Sequence, residues 1–205
     1  MGPPGGDRLG VRGATPDDVP AVTATLADAF HDDPLWGHWL EPDADARPAA
    51  LTALWGFFVQ EALRYPWLHV TAGCEAAALW IPPGGTEASP EGEARMAALA
   101  EHVAGPRAPE LTELWEQFEA ARPADEPHYY LSLLGTRSSH RGQGIGMALL
   151  EADLRQIDAE GAVARLESTN PANEPRYERA GFETVGSFTA PGGAPVVTTM
   201  RRAPR

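Results

Sequence analysis

The stretch RSSHRGQGIGMALLEADLRQ, residues 137–156, decides the fold. Three glycines alternate at positions 142, 144 and 146 of a basic, polar loop, and an apolar helical pattern follows at once. Backbone N–H groups in such a loop converge on one spot, and the helix dipole adds a positive end there. The stretch therefore predicts a phosphate site. The phosphate could belong to a nucleoside triphosphate, a dinucleotide or coenzyme A.

Each of these ligands has its own loop pattern. A nucleoside triphosphate loop ends in Gly-Lys-Ser/Thr, and no such tripeptide follows these glycines. A dinucleotide loop reads G-x-G-x-x-G, but its third glycine is replaced by Met147. The remaining pattern, [RQ]-x-x-G-x-[GA], is met by Arg141, Gly142, Gln143, Gly144, Ile145 and Gly146. The alternative is a glycine loop with a purely steric role.

Composition narrows the class of protein. The 205 residues suit one domain, and the formal net charge of −13 argues against a nucleic-acid partner. That charge favours a cationic small substrate, or it serves solubility alone. Cys74 is the only cysteine, which fits a cytoplasmic location. No apolar run is long enough for a membrane span, and the histidines lack metal-ligand spacing.

The order of predicted elements favours an α/β fold with helices on a central sheet. The strongest strand pattern, HYYLSLLGT at 128–136, lies directly before the glycine loop, and Gly135 either lets this strand splay or marks a bulge. Residues 31–48 are predicted to form a loop. Residues 1–8 are expected to be disordered, and 9–205 to form one domain with a helical insert near 84–125.

Two blocks resemble the acetyl-CoA site of the GNAT N-acetyltransferase superfamily. They are HYYLSLLGT with the glycine loop and its helix, and LESTNPANEPRYERAGFETVG at 166–186. The segments RGATPDDVPAVTATLADAFHDDP (12–34), ALWIPP (78–83) and VVTTMRR (196–202) resemble the puromycin N-acetyltransferase-like branch. The resemblance implies the GNAT acyl-CoA N-acyltransferase fold, a central mixed and mostly antiparallel sheet flanked by helices. It also implies acetyl-CoA as the acyl donor.

The resemblance further implies direct acetyl transfer to an amine in a ternary complex, without an acyl-enzyme. Backbone groups of Leu133, Leu134 and Thr136 would contact the pantetheine arm and the acetyl carbonyl, with an N–H near Leu134 as oxyanion donor. Residues 141–146 would hold the diphosphate. Asn170, Asn173 and Tyr177 complete the implied cofactor-binding set.

Two residues are the implied catalysts. Tyr177 would protonate the leaving thiolate, or it is a core tyrosine that packs on Phe182. Glu167 would accept the proton of the amine, or it is a structural carboxylate. His128 has a suitable pKa but stands at the wrong end of its strand.

Substrate choice is expected to come from residues 30–40 and the helix that follows. Phe30 and Trp36 would wall an aromatic pocket, and Asp33 would attract a cation; the alternative is a hydrophobic cluster of Trp36, Trp39 and Trp55. The expected acceptor is a small-molecule amine, and the puromycin-like branch implies an aminonucleoside or another toxic compound. Other hypotheses are a protein or peptide acetyltransferase, which needs an open groove, and a non-catalytic acetyl-CoA sensor. A homodimer is compatible with the resemblance, although no sequence feature establishes one.

Overall fold

The computed structural model describes residues 9–40 and 46–205, which form one seven-stranded sheet and seven α-helices. The disorder expected for residues 1–8 lies outside the described residues. The strands are β1 (Arg12–Gly13), β2 (Leu68–Val70), β3 (Ala76–Ile81), β4 (His128–Thr136), β5 (Val163–Ser168), β6 (Glu183–Thr189) and β7 (Val196–Arg202). The helices are α1 (Val19–Ala29), α2 (Trp36–Trp39), α3 (Arg47–Ala62), α4 (Pro90–Ala104), α5 (Ala108–Ala121), α6 (Ile145–Ala159) and α7 (Glu174–Ala180).

The sheet has the order β1-β2-β3-β4-β5-β7-β6, and among the described strands β4 and β5 are the one parallel pair. Their pairing ends at Leu131↔Leu166, although β4 continues along β3 to Thr136 and β5 continues along β7 to Ser168. The two halves of the sheet therefore separate and leave a gap between residues 132–136 and residues 167–168. The expected α/β fold with a mixed, mostly antiparallel sheet is confirmed.

A bulge in β4 decides which side chains meet this gap. Leu79 pairs with Leu133 and Trp80 pairs with Leu131, so Ser132 is the extra residue. The extra residue reverses the alternation of side chains. Tyr130 and Leu133 pack in the core under α1, α3 and α5, whereas Leu131 and Leu134 pack in the core under α6.

Gly135 is not the bulge. Helix α1 crosses β4 at this position, and a Cβ on Gly135 would lie 2.8 Å from Cδ2 of Leu26 and 2.9 Å from Cβ of Ala29. Glycine is required there because the helix approaches the strand closely.

The segment 31–48 is not entirely a loop, because it contains the four-residue helix α2 and the start of α3. Two helices, α4 and α5, lie in the segment where a helical insert was expected. None of the helices in the described ranges combines the length and the apolar character that a membrane span requires.

Candidate active site

The glycine loop, residues 137–146, turns the chain from the end of β4 into α6. Gly142 and Gly144 have φ angles of 77° and 75°, which side chains with a Cβ rarely adopt. Gly144 is the N-cap residue of α6, and the first N–H groups of a helix have no partner inside the helix. The loop therefore has the geometry of an anion site at a helix N-terminus.

Gly146 has a different reason to be glycine. A Cβ at this position would collide with Oγ1 of Thr136, whereas a Cβ on Gly142 or Gly144 would meet nothing within 4 Å. The start of α6 thus rests directly on the end of β4. Ile145, next to it, packs on the core under α6, and Gln143 is exposed.

Arg141 ties the glycine loop to the end of α1. Its Nη2 donates to the carbonyl oxygen of Ala29 at 2.8 Å, and Ser138 Oγ donates to Asp28 Oδ1 at 2.9 Å. Carbonyl groups at a helix C-terminus are favourable partners for a cation. Arg141 therefore has a structural role in addition to the predicted diphosphate contact.

The edge of β4 that faces the gap carries unpaired backbone groups. The N–H of Arg137 donates to the carbonyl oxygen of Glu75 on the β3 side at 2.8 Å. Backbone groups alternate in direction along a strand, so Gly135 and Leu133 also face β3, whereas Thr136 and Leu134 face the gap. The backbone groups of Leu134 and Thr136 therefore face the gap. Those of Leu133 do not, because they pair with β3.

A pocket of about 720 Å³, including its open mouth, lies at this gap. Six of its lining residues come from helices α1, α2, α3 and α5 or from the ends of these helices. Most of the others come from the two separating strands, β4 and β5. The rest come from the segment before α4, the turn after β5, and α7. We call it the gap pocket. It is lined by Phe30, Trp36, Trp55, Phe58, Glu87, Trp115, Phe118, Tyr130, Leu131, Ser132, Leu133, Leu134, Leu166, Glu167, Ser168, Thr169, Asn173 and Tyr177.

Glu167 lines the gap pocket from the end of β5. It pairs through its backbone with Thr199 of β7, beyond the point where β5 leaves β4. Its Oε2 is buried and has no hydrogen-bond partner among the described residues. Burial raises the pKa of Glu167 to about 7, although a hydrogen bond with Tyr130 and the positive charge of Arg122 both act to lower it. A carboxylate with this pKa is suited to take up a proton near neutral pH.

A second acid, Glu87, stands in the same pocket. It accepts a hydrogen bond from Ser132 Oγ, and its Oε2 lies 3.0 Å from Nη2 of Arg122. The guanidinium of Arg122 also contacts Glu119 at 2.8 Å and stacks on Tyr130, with Cζ 4.2 Å from the ring centroid. Arg122 is therefore paired with two acids behind Tyr130, outside the lining of the pocket. The negative charge of Glu87 contributes to the raised pKa of Glu167.

Tyr177 lines the pocket from α7. Its ring packs edge-on against Phe182, with the centroids 6.1 Å apart, so the two interpretations of this tyrosine are compatible. No hydrogen bond joins its hydroxyl to another of the described residues. Burial raises the pKa of Tyr177 to about 12, and the charge of Asp33 acts in the same direction. The phenol is therefore protonated at neutral pH and is able to donate.

Aromatic rings form the opposite wall. The Trp55 ring contacts the rings of Phe30 and Trp36 at centroid distances of 4.9 and 4.8 Å. Trp36 also approaches Phe118 at 6.4 Å. Trp55 and Trp36 are thus part of one cluster and of the pocket wall at the same time. The indole N–H groups of Trp55 and Trp115 are buried without a partner among the described residues.

Asp33 lies behind this wall instead of forming an open cation site. Its Oδ1 accepts from the backbone N–H groups of Leu35 and Trp36, at 3.0 and 3.3 Å. Its Oδ2 accepts from the Thr169 hydroxyl at 2.9 Å. Burial raises the pKa of Asp33. The residue therefore fixes α2, and with it Trp36, to the turn after β5.

The other polar candidates have local roles. Asn170 Oδ1 accepts from the N–H of Ala172 at 3.0 Å, and Asn173 lines the pocket while its side chain accepts from Arg176. Nδ1 of His128 contacts the carbonyl oxygen of Glu126 at the start of β4, and burial lowers the pKa of His128. Cys74 is buried in the β2–β3 turn, outside the pocket, and burial raises the pKa of its thiol. Among residues 9–40 and 46–205, no three acidic, cysteine or histidine side chains cluster as metal ligands.

This geometry agrees with a known family. Residues 113–184, which include β4, the glycine loop, α6, β5 and α7, match the family model described as Acetyltransferase (GNAT) domain. Residues 113–184, about a third of the chain, therefore carry the sequence features of a GNAT acetyltransferase domain. The L-methionine sulfoximine/L-methionine sulfone acetyltransferases of Pseudomonas aeruginosa and Pseudomonas paraeruginosa are 35% identical over 81 residues. That match covers 38% of this chain and 44% of each relative, so the chain spans less than half of these relatives.

Solved structures show the same fold over almost the entire chain. A protein of Corynebacterium glutamicum described as histone acetyltransferase HPA2 and related acetyltransferase has a TM-score of 0.67 at 24% identity, over 95% of this chain and 96% of that one. Arylalkylamine N-acetyltransferase 2 of Aedes aegypti has a TM-score of 0.67 at 13% identity, over 95% and 98%. At these identities the likeness establishes the fold. The resemblance to the puromycin-like branch stays a prediction.

Several pocket residues were not found from the sequence. They are Glu87, Trp115, Phe118, Ser132 and the residue behind them, Arg122. The apolar spacing of Leu111, Leu114 and Phe118 predicts a buried helix face but not what it covers. Glu87 lies in a polar segment with no local pattern that would single it out.

Proposed function

We propose that this protein transfers the acetyl group of acetyl-CoA to the primary amine of a small cationic molecule. Transfer is direct, in a ternary complex. The observation that carries the proposal is the gap itself: free backbone groups of β4 lead from the glycine loop to a pocket that holds an acid of pKa about 7 and a protonated tyrosine.

The residues around the glycine loop fit the donor. Unpaired N–H groups at the start of α6 suit the diphosphate, and the free edge at Thr136 and Leu134 suits the amide groups of the pantetheine arm. Acetyl-CoA supplies an activated thioester carbonyl. In this proposal the N–H of Leu134, which faces the gap, donates to that carbonyl oxygen and stabilises the charge that develops on it.

Glu167 and Tyr177 divide the proton transfers. Glu167 takes a proton from the ammonium, so that the nitrogen lone pair is free to form the new N–C bond. The C–S bond then breaks, the departing sulfur takes a proton from Tyr177, and the nitrogen loses its second proton to solvent. Tyr177, with a pKa of about 12, is a weaker acid than a thiol, so this transfer is uphill. The cycle closes when the phenolate regains a proton from solvent and Glu167 releases its proton to solvent. Cys74 takes no part, which supports transfer without an acyl-enzyme.

The shape of the pocket favours a small acceptor over a protein. Phe30 and Trp36 from the N-terminal segment, and Glu87, Trp115 and Phe118 from the segment 84–125, enclose the space opposite the sheet. A lysine or an N-terminus on a folded protein needs an open groove. This enclosure supports a small-molecule amine.

Calorimetric titration with acetyl-CoA, with NADH run alongside, tests the donor. We expect saturable binding of acetyl-CoA alone. Release of free thiol on addition of an amine panel then tests transfer. Binding of NADH in its place, or no thiol release with any amine, contradicts the proposal. In the second case, an acetyl-CoA affinity that survives the loss of both Glu167 and Tyr177 would indicate a sensor.

A further inference from the structure

The charged side chains that line the gap pocket all have the same sign. Among the described residues that line it, Glu87 and Glu167 are acidic, and no arginine or histidine is present. Arg122, whose charge acts on Glu167, is bonded to Glu87 and Glu119 and covered by Tyr130. A ligand that enters this pocket therefore finds two acidic side chains for an ammonium group but no cation in the lining for a carboxylate.

The uncharged part of the pocket is aromatic. Phe30, Trp36, Trp55, Trp115 and Phe118 line the pocket, and three pairs of rings among them have centroid distances of 4.9, 4.8 and 6.4 Å. Rings pack favourably against such a wall in tilted and edge-to-face arrangements, beyond the gain from buried area. The rings of the wall already use these arrangements among themselves.

We propose that the gap pocket selects amines that have an aromatic body and no carboxylate. The ammonium lies between Glu167 and Glu87, and the ring lies against Trp36 and Trp55. An amino acid with the same side chain is rejected because its carboxylate would be desolvated beside two carboxylates without a cation. This inference rests on the proposed function for the place of the reacting amine, and it names the class of acceptor.

Matched pairs that differ only by the carboxylate test it: tryptamine against tryptophan, and 2-phenylethylamine against phenylalanine, with hexylamine as the non-aromatic comparison. Thiol release at saturating acetyl-CoA gives kcat/KM, and calorimetry in the presence of CoA gives affinity without turnover. We expect the decarboxylated member of each pair to be favoured about a hundredfold, because like charges placed together are strongly unfavourable. Hexylamine should be used about tenfold less well than 2-phenylethylamine, because it lacks the ring–ring contacts.

The variant Glu87→Gln removes one of the two charges. In this variant the ratio of kcat/KM between the decarboxylated amine and the amino acid of each pair should fall about tenfold. Glu113→Gln, an exposed acid of the same helical segment, is the matched control and should leave the preference unchanged. The comparison of pairs on the unaltered protein does not depend on how well the variant folds.

The outcomes separate the two proposals. Thiol release from tryptophan or phenylalanine at the rate of the decarboxylated partner, or a preference for hexylamine, would overturn the selectivity and leave acetyl transfer intact. Selective binding of tryptamine and 2-phenylethylamine without thiol release would support the selectivity and contradict acetyl transfer. Failure of every amine to bind would overturn the selectivity as well.

Discussion

The two sides of the gap are built in opposite ways. The donor side, residues 132–146, offers mainly backbone: the edge of β4, a loop with two left-handed glycines, and the first turn of α6. The acceptor side offers mainly side chains, from Phe30 and Trp36 to Glu87, Trp55 and Trp115. Backbone geometry is set by a short continuous stretch, whereas a wall of side chains needs segments that are far apart in the chain. Changes on the two sides should therefore separate chemistry from donor binding.

The largest effect is expected for Glu167→Gln. The variant cannot take up the proton of the ammonium, so kcat/KM at pH 7 should fall about a thousandfold, while the Kd of acetyl-CoA should stay nearly unchanged. In the unaltered protein kcat/KM should rise as the pH increases through about 7, because only the ionised carboxylate is a base. This rise should be absent in the variant. Measurement of kcat/KM from pH 5.5 to 9 checks both points.

The control for Glu167→Gln is Glu178→Gln, which removes an exposed acid from α7. The raised pKa also has a consequence for stability. Ionisation of Glu167 above pH 7 opposes folding, because the folded state favours the protonated form. The neutral glutamine should therefore be at least as stable at pH 8. A lower Tm at that pH, or a pH profile unchanged from the parent, would assign Glu167 a structural role.

Tyr177→Phe should lower kcat about a hundredfold without affecting the Kd of acetyl-CoA, because it removes only the proton donor. The phenyl ring keeps its packing on Phe182. Tyr129→Phe is a matched control, since the Tyr129 hydroxyl donates to Glu160 at 2.6 Å and lies outside the gap pocket. Equal losses in the two variants would mean that the hydroxyl of Tyr177 supports the fold and not the reaction.

The same contrast explains what the sequence could predict. The fold, the gap-facing edge at Leu134 and Thr136, and the glycine loop follow from one strand–loop–helix stretch in which every local signal agrees. Helix α2 was not predicted, because four residues are too few to show a helical periodicity. Hydrogen bonds from the N–H groups at the start of this helix to Asp33 stabilise it. Asp33 was expected to contact the substrate. Its burial against Thr169 and the start of α2 could not be predicted, because no local sequence pattern indicates it.

On the donor side, Gly146→Ala tests the contact between α6 and β4. The new Cβ would collide with Thr136 Oγ1, and overpacking of this kind costs about 1–3 kcal/mol. We expect a lower Tm and an acetyl-CoA Kd about tenfold weaker, because displacement of α6 by a few tenths of an ångström moves its N–H groups. Calorimetry and thermal unfolding measure the two effects.

The second substitution Thr136→Ala removes the colliding oxygen and keeps the backbone of β4. It should restore most of the affinity and stability lost by Gly146→Ala. Thr136→Ala should not restore the affinity and stability of Gly142→Ala. That variant is destabilised because alanine disfavours the φ of 77° at position 142, and its Cβ collides with nothing. Rescue of both variants by Thr136→Ala, or of neither, would contradict the proposed contact.

The smallest effect is expected at Arg141, because its guanidinium is exposed and already bonded to Ala29 at the end of α1. Arg141→Gln should weaken acetyl-CoA binding by about two- to fivefold at low salt, and the difference should shrink as salt screens the charge. Arg141→Glu should weaken binding further, since it places a negative charge beside the diphosphate. Arg155→Gln, an exposed cation on α6, is the control for net charge. If the acetyl-CoA Kd of Arg141→Glu is unchanged and its Tm is lower, Arg141 only connects the glycine loop to α1. The diphosphate would then be bound by backbone groups alone.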